Sequence, residues 1–371
     1  MTTPMDVEQA PKLVEVEDSA LERDLEIART EGAKSNPGTP QGSPKVSPQG
    51  SPKASASELN AGGHGGIRPI GTEGRILEKP APAGSVEHEF YRRVRNGEGA
   101  YSGFKEVVPN SYDAQGARDL LGSDLPQGTR LDDTQNVYIE NITAGLDNKK
   151  VLDTKVGNAT TSYDENRAQQ GKNAFQAAFK SFKFAVGGDL MTGSTFRGWR
   201  VVAGTDAHQT RVFSGARSKE ILRRFSDDPK VWDQLIDKMT AIRTAADTSK
   251  LGFIASSVFS VHGDEKGAPT GTPKTVDAKL IDFAHVIDAQ HPFNPASKVD
   301  LTAAQAKYHQ KFISGMDALI QDSTEIRQDL RAKAVQDLSP TIRATHQVST
   351  STTDAPKPVL PVQQLTKSPA P

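Results

Sequence analysis

The chain contains no cysteine. Disulfides, thiolate metal sites and thiol nucleophiles are therefore excluded. Apolar side chains are scarce: the hydrophobic class fills 35% of 371 positions and aromatics 6%. A packed domain usually carries more, so part of the chain cannot bury a core. No apolar run reaches the roughly 18–20 residues that span a bilayer. Neither charge is in excess, since 45 Lys and Arg face 46 Asp and Glu. That balance excludes a globally basic nucleic-acid binder, though not a local basic pocket. The opening MTTPMDVEQAPKLVEVED lacks the basic start and apolar stretch of a secretory signal, which predicts a cytoplasmic protein.

The shortage of apolar residues is uneven. Residues 35–57 hold five Pro, six Ser and one aliphatic side chain larger than alanine, Val46, and PQGSPK recurs at 40–45 and 48–53. Such a segment cannot offset its ordering entropy by burial, which predicts a disordered Ser/Pro-rich arm over 1–57. Within it Leu21, Leu25 and Ala28 recur at helical spacing, as in a marginal helix or one that docks a protein partner. Residues 337–371 read as a second disordered tail. The core between them divides into an N-lobe, 58–142, expected to bind nucleotide, and a C-lobe, 143–336, expected to hold catalytic and substrate groups.

Along this core, glycine turns and short strands fill 62–77. A helix follows at SVEHEFYRRVRN, with Ser85 as N-cap and Glu87 sharing the inward face of Phe90, Tyr91 and Val94. NVYIENI (136–142) and KVLDTKVG (150–157) read as strands, 165–183 as a helix, and TFRGWRVVAG as a strand. Two helices over 217–247 break at Ser226-Asp227-Asp228-Pro229. GFIASSVFSVHGD and DAKLIDFAHVID read as apolar strands, and 302–336 as a long amphipathic helix. The class is α+β, in two lobes.

Strand alternation puts Asp153 and Lys155 on one face. An Asp and a Lys facing a cleft suit phosphoryl transfer, and they equally suit a cross-strand ion pair. Asp282 follows Leu280 and Ile281 and precedes Phe283 and Ala284. A carboxylate there needs a partner, which Mg²⁺ with substrate phosphates would supply, as would a turn in which it caps backbone.

In order, GGH (62–64), RILEKP (75–80), EHEFY (87–91), YIENIT (138–143), DTKVG (153–157), FRGWRVV (196–202), SSVF (256–259), IDFAH (281–285) and ISGMDALI (313–320) resemble the inositol polyphosphate kinase family, nearest its multikinase and hexakisphosphate kinase branches. The resemblance implies a small β-rich lobe and a larger mixed lobe with ATP in the cleft. It implies that Asp153 reaches the ATP ribose and the reacting region, that Lys155 meets the inositol phosphate and the moving phosphoryl group, and that Asp282 binds Mg²⁺ beside Ser256 and Ser257. Glu140 to Ile142 matches the hinge that pairs adenine by its backbone. Lys79 matches the phosphate-gripping lysine and Glu87 its helix partner.

Three positions depart from the family pattern. Lys149 stands where Pro is usual, and Lys311 where Gly is frequent. Glu78 separates the apolar pair Ile76-Leu77 from Lys79. Regular alternation would then turn Glu78 inward, so a one-residue bulge at Glu78 is expected to aim Lys79 into the cleft.

Substrate contacts are expected from Lys172, Lys180 and Lys183, which fall within about 80° on the helical wheel of 165–183. Arg200, with Arg197 beside it, could add bidentate contacts. The sequence thus predicts an ATP- and Mg²⁺-dependent kinase acting on a phosphorylated inositol. A weakened or inactive kinase-fold module that binds inositol phosphates or a protein partner is the alternative. The Ser/Pro-rich arm also resembles those of bacterial effectors, which would place the protein in a host cytosol.

Overall fold

A computed structural model of the chain describes residues 66–157, 197–205, 215–294 and 299–350. The predicted arm, the predicted helix 165–183 with Lys172, Lys180 and Lys183, and the last part of the tail lie outside the described residues. The described residues fall into two units, one ending at Arg327 and the other starting at Gln328.

Strands β1 (Arg68–Ile70) and β2 (Ile76–Pro80) open the first unit, followed by helix α1 (Val86–Asn96). The Ser85 hydroxyl accepts the His88 amide at 3.3 Å, Glu87 and Glu89 occupy the positive first turn, and Gly97 ends the helix at φ 67°. Glu87, Phe90, Tyr91 and Val94 are buried on one face, as their spacing predicts. Strand β3 (Ser111–Tyr112), helix α2 (Ala114–Leu121) and strand β4 (Asn136–Glu140) complete an antiparallel sheet of order β1-β2-β4-β3. Ile70, Ile76, Ala117, Leu121 and Tyr138 form its core.

The second sheet has the order β6-β5-β8-β9, all antiparallel. Its strands are β5 (Leu146–Val156), β6 (Trp199–Gly204), β8 (Ser257–Glu265) and β9 (Thr275–Ile281). Helices α3 (Gly215–Arg224) and α4 (Pro229–Ser249) precede β7 (Gly252–Phe253), which pairs with β10 (Val286–Ile287). The Asp228 carboxylate caps α4 by accepting the Lys230 amide at 2.8 Å, and Pro229 takes the first helical position. Leu152, Val156, Trp199, Val201, Val258 and Leu280 are buried, and α4 packs on β8 and β9. The class is α+β, as expected from the sequence.

Two expected strands break where backbone turns left-handed. Ala255, at φ 60°, separates β7 from β8, and Asp282, at φ 65°, separates β9 from β10. This conformation is uncommon for a side-chain-bearing residue. Helix α5 (Thr302–Thr350) runs past the predicted end at 336. Residues 331–337 are exposed, so helix-forming composition rather than burial carries that stretch.

One close crossing fixes the ends of β5 and β6. The Gly157 amide donates to the Gly198 carbonyl at 2.8 Å, with both residues at positive φ. Gly315 of α5 presses on this pair: a Cβ there would collide with the Gly198 carbonyl and lie 2.8 Å from the Gly157 nitrogen. The Trp199 indole N–H, donating to Asp322 of α5 at 3.1 Å, holds the same corner.

Candidate active site

The register of the second sheet assembles one polar face. Lys155 on β5 lies opposite Arg200 on β6 and Ser257 on β8. Ser257 in turn lies opposite Ile281, the last residue of β9, and Asp282 follows. Laterally paired residues share a face, so Lys155, Arg200 and Ser257 form one row. Asp153, two residues before Lys155, starts the next row opposite Phe259. A bulge lies beside it. Asp153 pairs with Ala203 and Thr154 with Val201, so Val202 is the extra residue and is exposed.

Asp153 is 2% exposed, and its Oδ1 has no hydrogen-bond partner among the described residues. Burial pushes its carboxyl up to about 7, and repulsion from Asp282 adds to this. Lys155, the nearby Ser257 hydroxyl and Lys79 pull the other way. Ser257 Oγ approaches without completing a hydrogen bond and is itself buried without a partner.

The first sheet supplies a lysine to the same place. Lys79 Nζ donates to Glu87 Oε1 and to Asp282 Oδ1, each at 2.7 Å, and Lys79 is 6% exposed. Burial alone would lower its pKa, but the two carboxylates override this and hold the ammonium well above its ordinary value. Glu87 Oε1 also accepts the Phe283 amide at 3.3 Å. The Asp282 backbone carbonyl accepts the Ser256 hydroxyl at 2.9 Å, so the fully buried Ser256 helps hold the left-handed turn. Beside the cluster the Tyr91 phenol is buried without a partner, and burial followed by the Glu87 charge pushes its pKa up.

The bulge expected at Glu78 is absent. Strand β2 pairs without a register shift on both sides, Lys79 with Val137 and Glu78 with both Arg68 and Tyr138. Lys79 nevertheless faces Glu87. Glu78 shares the opposite face with Ile76 and makes an ion pair with Arg68. Ile76, not Leu77, enters the sheet's own core, and that choice of face aims Lys79 at α1. Arg68 was the missed signal, because it neutralises the buried Glu78.

The remaining expected residues are placed as follows. The Glu140 carboxylate accepts the Asn110 amide at 3.2 Å and its Nδ2 at 2.8 Å, while its own amide donates to the Asn110 carbonyl at 2.8 Å. Ile142 lies in the turn after β4. Asn141, between them, organises that turn through its side chain, donating to the Gly74 carbonyl at 2.7 Å and accepting the Thr143 hydroxyl at 2.8 Å. Lys149 is exposed near the start of β5, and the half-buried Lys311 lies 5.9 Å from the Tyr308 ring. Arg197 is turned to Asp322 at 3.5 Å, away from the row that Arg200 joins.

Among the described residues no three His, Asp or Glu side chains gather closely enough to cage a metal. Asp282 and the orphaned oxygen of Asp153 do suit a hard cation that completes its shell with phosphate oxygens.

The inositol phosphate multikinase of S. cerevisiae, solved with ADP and Mn²⁺, is 13% identical, with a TM-score of 0.41 over 68% of this chain and 98% of that one. A second inositol phosphate multikinase structure is 16% identical, with a TM-score of 0.42 over 65% of this chain and 99% of that one. A search of curated protein sequences gives no significant match. A family model described as inositol polyphosphate kinase matches residues 136–322, half of the chain and the segment that carries Asp153, Lys155, Arg200, Ser256, Ser257 and Asp282. The chain belongs to the inositol polyphosphate kinase family.

Proposed function

We propose that the protein transfers the γ-phosphoryl group of ATP to a phosphorylated inositol. The observation that carries this reading is the meeting of the Lys79–Glu87–Asp282 cluster with the Asp153–Lys155–Arg200 face in a chain of this family. Lys79, fixed by Glu87, grips the nucleotide phosphates. Glu140 to Ile142 offers its backbone to adenine. Asp282, with Ser256 and Ser257 at its side, would hold Mg²⁺, which would supply positive charge against the negative charge that develops on the phosphates.

A hydroxyl oxygen of the inositol attacks the γ-phosphorus as the bond to the β-phosphate bridging oxygen breaks, and ADP leaves with that electron pair. Asp153, buried and raised to about 7, accepts the hydroxyl proton. Lys155 stabilises charge on the moving group. Arg200, with Lys172, Lys180 and Lys183 from the segment outside the described residues, binds the phosphates already on the ring. The nucleotide lobe of this reading is 58–142 and the catalytic lobe 143–336.

An inactive binding module drew its support from an inward Glu78. Glu78 pairs with Arg68 on the far face of β2, so it lends that reading none. Incubation with radiolabelled ATP, Mg²⁺ and a panel of inositol phosphates tests the proposal. Transfer that disappears in Asp282→Ala is expected. Tight inositol phosphate binding by wild type, with no transfer to any member of the panel, would overturn it.

A further inference from the structure

Helix α1 is gripped at a second point, away from the Lys79 cluster, by a buried acid that the proposed chemistry does not use. Asp288 follows β10 and is 3% exposed. Its Oδ1 accepts the amides of Gln290 at 3.1 Å and His291 at 2.9 Å. Its Oδ2 accepts the Tyr101 hydroxyl at 2.8 Å and Arg93 Nη1 at 3.3 Å. Arg93, in the last turn of α1, also donates to Tyr101 Oη at 3.1 Å and to the His291 carbonyl at 2.9 Å. Its guanidinium lies 4.7 Å from the Phe293 ring centre. Four donors on one buried carboxylate exceed what a loop turn needs, since the two amides alone would satisfy the turn.

What the carboxylate joins is informative. Glu87, Phe90 and Arg93 fall within about 120° on α1 at 100° per residue. Each meets the short segment 282–293. Glu87 accepts the Phe283 amide, Phe90 stacks on the Phe283 ring at 3.9 Å and 12°, and Arg93 reaches Asp288 and His291. That segment begins with Asp282. The helix that positions Lys79 and the turn that carries Asp282 are therefore fastened at two ends, by Glu87 and by Asp288.

We propose that Asp288, through Arg93 and Tyr101, is a positioning residue for the Lys79–Glu87–Asp282 cluster. Loss of this latch lets the C-terminal end of α1 swing, and the Glu87 grip on Lys79 and Phe283 loosens. The consequence for turnover rests on the kinase reading, but the fastening itself does not.

Asp288→Asn keeps the shape and removes the charge that both Arg93 and Tyr101 approach; Tyr101→Phe removes one donor and keeps Arg93. Amide hydrogen exchange on the nucleotide-free full chain is measured first. In each variant exchange over 86–96 and at Phe283 should accelerate, by about tenfold if one charge-assisted hydrogen bond is lost, with β5 and β8 unchanged. The KM for ATP should then rise by a similar factor while the KM for inositol phosphate holds. Uniform acceleration across the chain in both variants would make Asp288 a fold-stabilising residue only and overturn the proposal. Unchanged exchange at Phe283 would overturn it as well. A wild type that shows no transfer to any inositol phosphate would defeat the kinase reading, yet the exchange result would still decide the latch.

Discussion

The two sheets bring charge to one place in opposite ways. On β2 and α1 the charges are closed on each other: Lys79 sits between Glu87 and Asp282, with both contacts at 2.7 Å. On β5 and β8 a carboxylate is left open, since Asp153 Oδ1 and Ser257 Oγ are buried and lack hydrogen-bond partners among the described residues. The closed cluster is held by its own attractions, which keep the Lys79 ammonium charged. The open one carries an uncompensated desolvation cost that a bound ligand can relieve. On the proposed kinase reading, a site built from both halves would be rigid where it grips the nucleotide phosphates and receptive where the reaction occurs.

Asp282 belongs to both halves, so its loss should have the largest effect. Asp282→Ala removes the carboxylate offered to Mg²⁺ and should lower turnover by at least about a thousandfold, or about 4 kcal/mol. Lys79 retains Glu87, so the melting temperature should move little. Steady-state kinetics beside calorimetry checks both parts, and unchanged turnover would remove Asp282 from the mechanism.

Lys79→Ala attacks the closed half directly. It leaves the buried Glu87 and the half-buried Asp282 without their shared cation, which should cost about 3–5 kcal/mol of stability. The raised pKa of Lys79 fixes the sign with pH. Its stabilising effect is complete below the ordinary 10.5 and is lost as pH climbs past that value toward the folded one. Across pH 6 to 9 the ammonium should therefore stay charged in the wild type, and urea titrations at pH 7 should show the full deficit of the variant. A variant as stable as wild type at pH 7 would mean the ammonium is not held as the geometry indicates.

Asp153→Asn probes the open half and should act with the opposite sign. An acid raised from 3.8 to about 7 binds its proton more tightly folded than unfolded. Folding therefore loses stability as pH rises from 3.8 through about 7. The amide mimics the protonated acid and escapes that loss. The ligand-free variant should be more stable than wild type at pH 8, by a few kcal/mol at about 1.4 per unit, and equal to it near pH 4. Saturating nucleotide and Mg²⁺ should narrow the gap at pH 8 if Asp153 meets its partner there. A variant less stable than wild type at pH 8 would show that the carboxylate is satisfied after all.

How much of this was legible depended on the range of the contacts. Local signals were legible: the Ser85 cap, the helix break at 226–229, the shared face of Asp153 and Lys155, and the inward side of Glu87. Each is set by neighbours within a few residues. The Lys79–Asp282 contact spans 203 positions and the Tyr101–Asp288 contact 187, and no periodicity announces either. Gly198 and Gly315 read as ordinary glycines until the crossing shows that neither has room for a Cβ. The family resemblance carried Lys79, Asp153, Lys155 and Asp282 to one cleft, yet it said nothing of Arg93, Tyr101 and Asp288. The breaks at Ala255 and Asp282 were hidden because apolar runs on both sides read as continuous strand.

The smallest effect should come from Glu78, the residue on which sequence reasoning placed most weight. Alternation permits two faces for β2 and does not say which is inward, so an inserted acid next to a functional lysine looked like a conflict that only a bulge could resolve. Burying Ile76 settles the face, and Glu78 goes with it, away from Glu87 and beside Arg68. Arg68 is 61% exposed in its side chain, so solvent screens much of that pair and leaves it worth under about 1 kcal/mol. Glu78→Ala removes a buried carboxylate whose partner can turn to water, so no buried charge is stranded. Stability should fall by less than about 1 kcal/mol. ATP affinity measured by calorimetry should stay within about twofold of wild type, because the carboxylate lies on the face of the strand opposite Lys79, the residue proposed to grip the nucleotide. A gain in ATP affinity in Glu78→Ala, with none lost in Lys79→Ala, would mean that β2 presents Glu78 and not Lys79 to the triphosphate.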